Sequence, residues 1–253
     1  HTGHDLGQYR GTGYGQLCQY RKADGTDQTW AGVDDWRPAG EYRDKAEELE
    51  PRAQASLYFY GVNPKNNTGN SRWDLYQNWQ LEYKWQDGCA KNIKFWYEAG
   101  SREWFEFPIY RMAEFYLNIA EAYNEEGNPT MALRYLNDIR RRGGIPDETQ
   151  TDRVRLRQSI HREWAVEFYE ENQWYPHARH WKQGASMVGG AKYKFEFSQA
   201  AGVSWNPRKP EEFANYTRKP SYVPEYTWHE RMSLSPFTLS EVNKGYLVQN
   251  PGY

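Results

Sequence analysis

Apolar positions keep a helical period along only part of this chain. In the stretch IYRMAEFYLNIAEAYNEEGNPTMALRYLNDIRRRGG, residues 109–144, Met112, Phe115, Tyr116, Ile119, Ala120 and Tyr123 recur at the i, i+3, i+4, i+7 spacing of an amphipathic helix. Gly127-Asn128 stops that helix, because glycine accepts the left-handed conformation that follows a helix end. Pro129 then suits the opening turn of a second helix, where no amide hydrogen is needed. Ala132, Leu133, Leu136 and Ile139 form the second stripe, Arg140, Arg141 and Arg142 favour its negative C-terminal end, and Gly143-Gly144 closes it. A third helix is predicted from about Thr151 to Asn172, with Leu156, Ile160, Trp164, Ala165 or Val166, and Phe168 inward.

Elsewhere the period lapses. Residues 1–40 are rich in Gly, Asp and aromatics and read as loops with short strands or turns. Residues 41–61 give an acidic approach, then Pro51, then the alternation ASLYFYG of a short strand. Residues 62–100 form a long aromatic and amide-rich excursion, and loops of that length are usually functional or flexible. Residues 184–253, with repeated Gly and Pro, read as an irregular tail wrapped over the helices. The expected fold is therefore mainly α: a tetratricopeptide-like helical hairpin scaffold with long, aromatic-rich irregular loops and little β. Ala120 and Ala132 supply the small side chains that let the paired helices approach, with Tyr123 and Leu136 between them and Pro146 beyond. Its helical core spans about 107–181, between loop-rich segments 1–106 and 182–253 of one domain.

Composition sharpens this. The chain holds 12 Trp and 21 Tyr, and 17% of its 253 residues are aromatic, while its mean hydropathy is −1.07. Disordered chains are poor in aromatics, so this polar chain folds. Trp and Tyr suit surfaces with one apolar face and one wet edge. A formal net charge of −2 gives no global attraction to nucleic acid or anionic membrane. No apolar run approaches the ~20 residues of a membrane span. Cys18 and Cys89 are compatible with one disulfide or with two separate thiols.

The candidate chemistry is binding. Trp30, Trp36, Tyr42, Trp73, Tyr76 and Trp79 fall in the loop-like regions, where an aromatic plane can stack on the axial-hydrogen face of a sugar ring. Asn66, Asn67, Asn70, Arg72 and Asn78 lie near enough in sequence to bond its hydroxyls. The competing use of such aromatics is to pack loops onto helices. Glu163 and Glu167 lie four apart on one helical face and Asp34-Asp35 are adjacent, but nothing sets either pair across a cleft at the ~5–9.5 Å of a glycosidase. Glu163 is expected to pair with an arginine such as Arg162, Arg179 or a neighbour, and Glu114 and Glu121 to be solvated or paired with Arg111. His177 and His180 have no third metal ligand, and GTGYG lacks the lysine of a phosphate loop. No catalytic residue, metal or cofactor is expected.

Several blocks, in order, resemble the SusD/RagB family of cell-surface nutrient-binding lipoproteins of Bacteroidetes. GTGYGQLCQYRKADGT (Gly11 to Thr26) is similar to the family's G-x-G-Y stretch and A-x-G-T turn. EPRAQASLYFYG (Glu50 to Gly61) resembles its D-P-R-x-x-A-T strand, and Phe107 to Pro146 its P-x-x-R-x-A-E helix followed by A-x-x-x-L-N-x-I-R-x-R-x-G-x-P. IHREWAVEFYEENQWYPHARHW (Ile160 to Trp181) and the ending LSEVNKGYLVQNPGY complete the match. Asn172, Gln173 and Trp174 depart from the family's usual Gly, His and Arg, and His177 from its Asp.

The resemblance implies the C-terminal part of a longer, non-enzymatic protein. Its expected partners are a SusC-like TonB-dependent transporter, an oligosaccharide or peptide ligand, and the N-terminal half of the same protein, with no nucleic acid. It implies the outer membrane and cell surface, with the lipid anchor on the N-terminal part. A tetratricopeptide-type protein-interaction module without direct sugar binding is the alternative.

Overall fold

The computed structural model of the protein describes residues 13–59, 89–92, 94, 108–202, 213–221 and 227–253. In chain order these form α1 (Tyr14–Leu17), β1 (Arg37–Pro38), α2 (Ala39–Glu47), α3 (Pro51–Ser56), β2 (Leu57–Tyr58) and β3 (Lys91–Asn92). There follow α4 (Met112–Glu125), α5 (Pro129–Arg142), α6 (Arg153–Glu167), α7 (Trp174–His180) and α8 (Gly184–Met187). The chain ends with β4 (Tyr193–Gln199), β5 (Phe213–Pro220), a 3-10 turn (Glu230–Ser233) and α9 (Leu239–Val242). The fold is mainly helical with little strand, as the sequence pattern implies.

The helix boundaries follow local chemistry. Gly127, at φ 81°, closes α4: its N–H donates to the Asn124 carbonyl at 3.1 Å, and the Asn128 N–H to that of Tyr123 at 2.8 Å. Asn128 caps α5 by accepting from the Met131 N–H at 3.2 Å, with Pro129 in the first turn. Gly144, at φ 75°, ends α5 with the same pair of bonds, and Asp152 caps α6 through the Arg155 N–H at 3.0 Å. The third helix stops at Glu167 rather than near Asn172, since Glu170 and Asn172 both take positive φ.

Two apolar clusters hold the described residues together. In one, Leu117 and Ala120 of α4 meet Ala132 and Leu136 of α5, and Ile160 and Trp164 of α6. The other surrounds Tyr42 of α2, whose ring lies 5.7 Å from Phe195, 5.1 Å from Phe197 and 5.4 Å from Tyr216. Helix α6 serves both, since Trp164 belongs to the first and Val166 to the second. A helix buried on several faces is central rather than amphipathic.

Three sequence expectations are corrected. The face of α4 that points inward is Ala113, Leu117, Ala120 and Asn124, whereas Met112 (69%), Phe115 (54%) and Ile119 (36%) are exposed and continue an outward patch with Ile109 and Tyr110. Tyr116 and Tyr123 are half-buried against the cluster. Residues 39–47 and 51–56 are helical, leaving only Leu57–Tyr58 of the expected strand, paired antiparallel with β3. The tail is not wholly irregular: β4 and β5 pair antiparallel, with β1 added at the edge, and Phe195, Phe197, Phe213 and Tyr216 face the core.

Candidate functional site

The structure separates the aromatics expected to bind ligand. Tyr42 is 0% exposed, and its hydroxyl donates to the Cys89 carbonyl at 2.7 Å. This is a correction: its ring fills the core and offers no face to a ligand. Trp30 is half-buried, tilted against Tyr42 and Phe195 at 5.8 and 5.6 Å. Trp36 is 44% exposed and keeps an open face. Trp73, Tyr76 and Trp79, with Asn66, Asn67, Asn70, Arg72 and Asn78, lie outside the described residues.

The carboxylates singled out above are ion-paired. Asp34 meets Lys219, and Asp35 meets Arg37 at 2.9 Å. Glu163 pairs with Arg52 and, at 3.5 Å, with Arg140, not with Arg162 or Arg179. Those two lie elsewhere: Arg162 reaches Asp27, while Arg179 donates to Ser233 and Ser235. Glu167 accepts from Arg142, from Arg111 at 2.8 Å and from Arg52 at 3.3 Å. Burial pushes the Glu167 carboxyl up, but the bonds from Arg142 and Arg111 outweigh it and hold it below the usual range. Glu171 closes the network on Lys94 at 2.6 Å and Arg111 at 2.7 Å. The glycines ending α5 make room for it, since a Cβ on Gly143 would lie 2.7 Å from Arg52 Nε, and one on Gly144 3.0 Å from Pro51 Cγ. A shallow hollow of about 390 Å³ opens beside this network. Its cations are committed to carboxylates, so the network reads as structural glue.

Glu121 is not a free surface acid either. It accepts from Trp181 Nε1 at 2.8 Å, and burial raises its pKa. Glu114 has one carboxylate oxygen buried without a hydrogen-bond partner. His177 lies 4.0 Å from Trp164 and 4.6 Å from Trp181, and His161 stacks on Trp181 at 3.6 Å. Burial first, then Arg157, pulls the His161 pKa down to about 4; burial first, then His180, does the same for His177. Both are neutral packing groups at pH 7. No metal-ligating cluster occurs among the described residues, Cys18 and Cys89 are free thiols, and no described helix is long and apolar enough to cross a membrane.

A larger cavity among the described residues was not foreseen. It has a volume of about 730 Å³ and lies between α1, the outer face of α6, the start of α7 and the turn leading into β4. Its aromatic walls are Tyr14, Trp174 and Tyr193; Gln158, Gln183 and His161 supply planar polar groups. Tyr14 and Tyr193 meet edge-to-face at 6.4 Å, and the Arg218 guanidinium lies 4.5 Å from the first ring and 5.2 Å from the second. Burial, then the Cys18 thiol, pushes the Tyr14 pKa up to about 12. His161 Nε2 has no hydrogen-bond partner. A concave wall of aromatics with few polar groups is what small-ligand sites share. Its residues come from four separate stretches of sequence, and none of them carried a local signal that marked a binding site.

Fold and cleft together define a helical scaffold with a small sheet annex and an open cleft at their junction. A family model described as the SusD family matches residues 9–253, and the chain belongs to that family. Its fold is similar to the crystal structure of a SusD-like protein from Bacteroides fragilis NCTC 9343, with 26% identity and a TM-score of 0.65. That likeness covers 96% of this chain and 47% of the other, so the chain spans about half the length of that relative. No curated protein matches the chain.

Proposed function

We propose that the chain is the C-terminal part of a surface nutrient-binding lipoprotein that captures a glycan and delivers it to a SusC-like TonB-dependent transporter at the outer membrane. The observation that carries this reading is the family match over residues 9–253 together with an open cleft walled by Tyr14, Trp174 and Tyr193. Aromatic faces exclude water from a sugar ring, while amide side chains satisfy its hydroxyls. Trp36 is a second candidate platform, and Trp73, Tyr76 and Trp79 remain part of the proposal. The role is capture without bond cleavage, so a polysaccharide panel incubated with the chain should release no product. Calorimetric titration with glycans selected on an array tests capture. Retained affinity in a Trp36→Ala, Trp174→Ala double variant would remove both described platforms from the proposal.

The outward face of α4 favours a polypeptide neighbour as well. Ile109 (78% exposed), Tyr110 (73%), Met112 and Phe115 form an apolar patch with no cover among the described residues. We assign it to the N-terminal half of the same protein, because the SusD-like relative carries a further half beyond the region this chain matches. The competing module reading would give that patch to a foreign polypeptide. Adding the N-terminal half in trans should protect α4 from hydrogen exchange; an unchanged α4 would sink the assignment.

A further inference from the structure

The cleft beside Tyr14 carries a charge imbalance that the whole chain does not. The chain's formal net charge is −2, yet among the described residues Arg157, Arg162 and Lys192 line this cleft and no carboxylate does. Two of those cations are already neutralised. Arg157 grips Glu125 through Nε at 2.6 Å and Nη2 at 2.5 Å, and Arg162 reaches Asp27. Lys192 is different. Its ammonium donates to the carbonyls of Val188 at 2.8 Å and Gly189 at 3.1 Å, which fixes its position and, among the described residues, leaves its charge and third hydrogen unmatched. Arg218, stacked on Tyr14 and Tyr193, also meets no carboxylate among the described residues, and its Nε is buried without a partner. A concave, partly dry wall focuses such uncompensated charge toward a ligand.

We propose that this cleft selects an acidic saccharide, with a uronate carboxylate or a sulfate ester seated on Lys192 under the field of Arg218, and the sugar ring against Trp174. The proposal deepens the glycan reading above and rests on it. Lys192 is the group to perturb, because it holds no carboxylate of its own and its loss strands no buried acid. Arg218 is a poor first target, since its guanidinium packs on two aromatic rings.

The test uses the 253-residue chain and two matched probe pairs. One is tri-galacturonate against its carboxyl-reduced neutral form; the other is a κ-carrageenan tetrasaccharide, which carries sulfate esters and no carboxylate, against its neutral desulfated form. At least one acidic probe should bind about tenfold or more tightly than its neutral counterpart, and should weaken as salt rises from about 20 to about 300 mM. Lys192→Gln should lose about tenfold in affinity for that probe and Lys192→Arg should restore most of it, with unchanged circular dichroism. Which pair responds tells carboxylate from sulfate. Neutral partners binding as tightly, with Lys192→Gln silent, would overturn the acidic selection and leave glycan capture standing. Acidic binding lost in Trp36→Ala but not in Lys192→Gln would overturn the site. If neither these probes nor an array of neutral glycans binds, both readings fall.

Discussion

Arg52 is the perturbation that reads the buried ion network most directly. Its Nε donates to Glu50 at 2.8 Å, and its Nη1 serves Glu163 and, at 3.3 Å, Glu167. The three carboxylates have side chains only 1, 3 and 5% exposed. Removing Arg52 does not strand them equally. Glu163 keeps Arg140 at 3.5 Å, and Glu167 keeps Arg111 and Arg142. Among the described residues Glu50 keeps only the Arg21 N–H at 3.0 Å and no cation. Breaking one side of a buried pair costs about 3–5 kcal/mol, because the remaining charge is buried and uncompensated. Arg52→Met retains the stem and much of the volume, so the charge dominates. At about 2–4 °C per kcal/mol for a chain of this size, Tm should fall by about 6–20 °C. Glu50→Gln, added to Arg52→Met, removes the stranded charge while Oε1 still accepts from Arg21, so the double variant should regain more than half of the loss. Urea unfolding followed by circular dichroism, run as a double-mutant cycle, measures this. An Arg52→Met protein within about 1 kcal/mol of wild type, or a double variant no better than the single, would refute a charge-compensated core.

Three further outcomes follow from the same geometry. Burial holds His161 and His177 near pKa about 4, below the ~6.5 of an unfolded histidine, so the unfolded chain takes up protons that the folded one refuses. Their contribution is complete above about pH 6.5 and is lost as pH falls toward about 4; urea midpoints across that range should show a slope that His161→Phe flattens. Tyr42→Ala should cost about 3–5 kcal/mol, while Trp36→Ala, at a residue 44% exposed, should cost under about 1 kcal/mol; thermal melts compare them. A Cβ on Gly184 would fall 1.9 Å from the Trp228 ring, so Gly184→Ala should expel that indole and shift tryptophan emission to the red, a change Gly190→Ala should not share in that ring.

What the sequence disclosed was local chemistry. Gly127, Pro129 and Gly143-Gly144 mark helix ends because each acts within a few residues of itself. The inward face of α4 was not legible, because apolar side chains run nearly round it. Small Ala113 and Ala120, rather than bulky Phe115 and Met112, mark the side that meets α5 and α6. The hairpin was written in the alternation of Phe195 and Phe197 with half-exposed Glu196 and Ser198, but flanking glycines and prolines obscured it. Tyr42 was misplaced because composition cannot tell a stacking ring from a core ring. The partners of Glu163 and Glu167 were out of reach for another reason: Arg52 lies more than a hundred residues away, and charge alone does not choose among many arginines.

The cleft follows from that long-range architecture. One wall, with His161 and Arg157, belongs to α6; the facing wall, with Tyr14 and Tyr193, belongs to the sheet and to α1. Polar bonds tie the two across the floor. Gln16 Nε2 donates to the Ala165 carbonyl at 2.9 Å, and Arg162 donates to the Gln19 and Cys18 carbonyls at 2.7 and 3.0 Å. Because α6 also places Trp164 in one apolar cluster and Val166 in the other, the separation of the walls is fixed by both cores at once. A cleft framed in this way is preorganised, so a ligand proposed to bind there would lose its own freedom without also having to order the protein. Lys192 shares the arrangement: two carbonyls of the turn into β4 hold its ammonium beside the cleft, so on the acidic-saccharide proposal the group that selects the ligand is as preorganised as the walls.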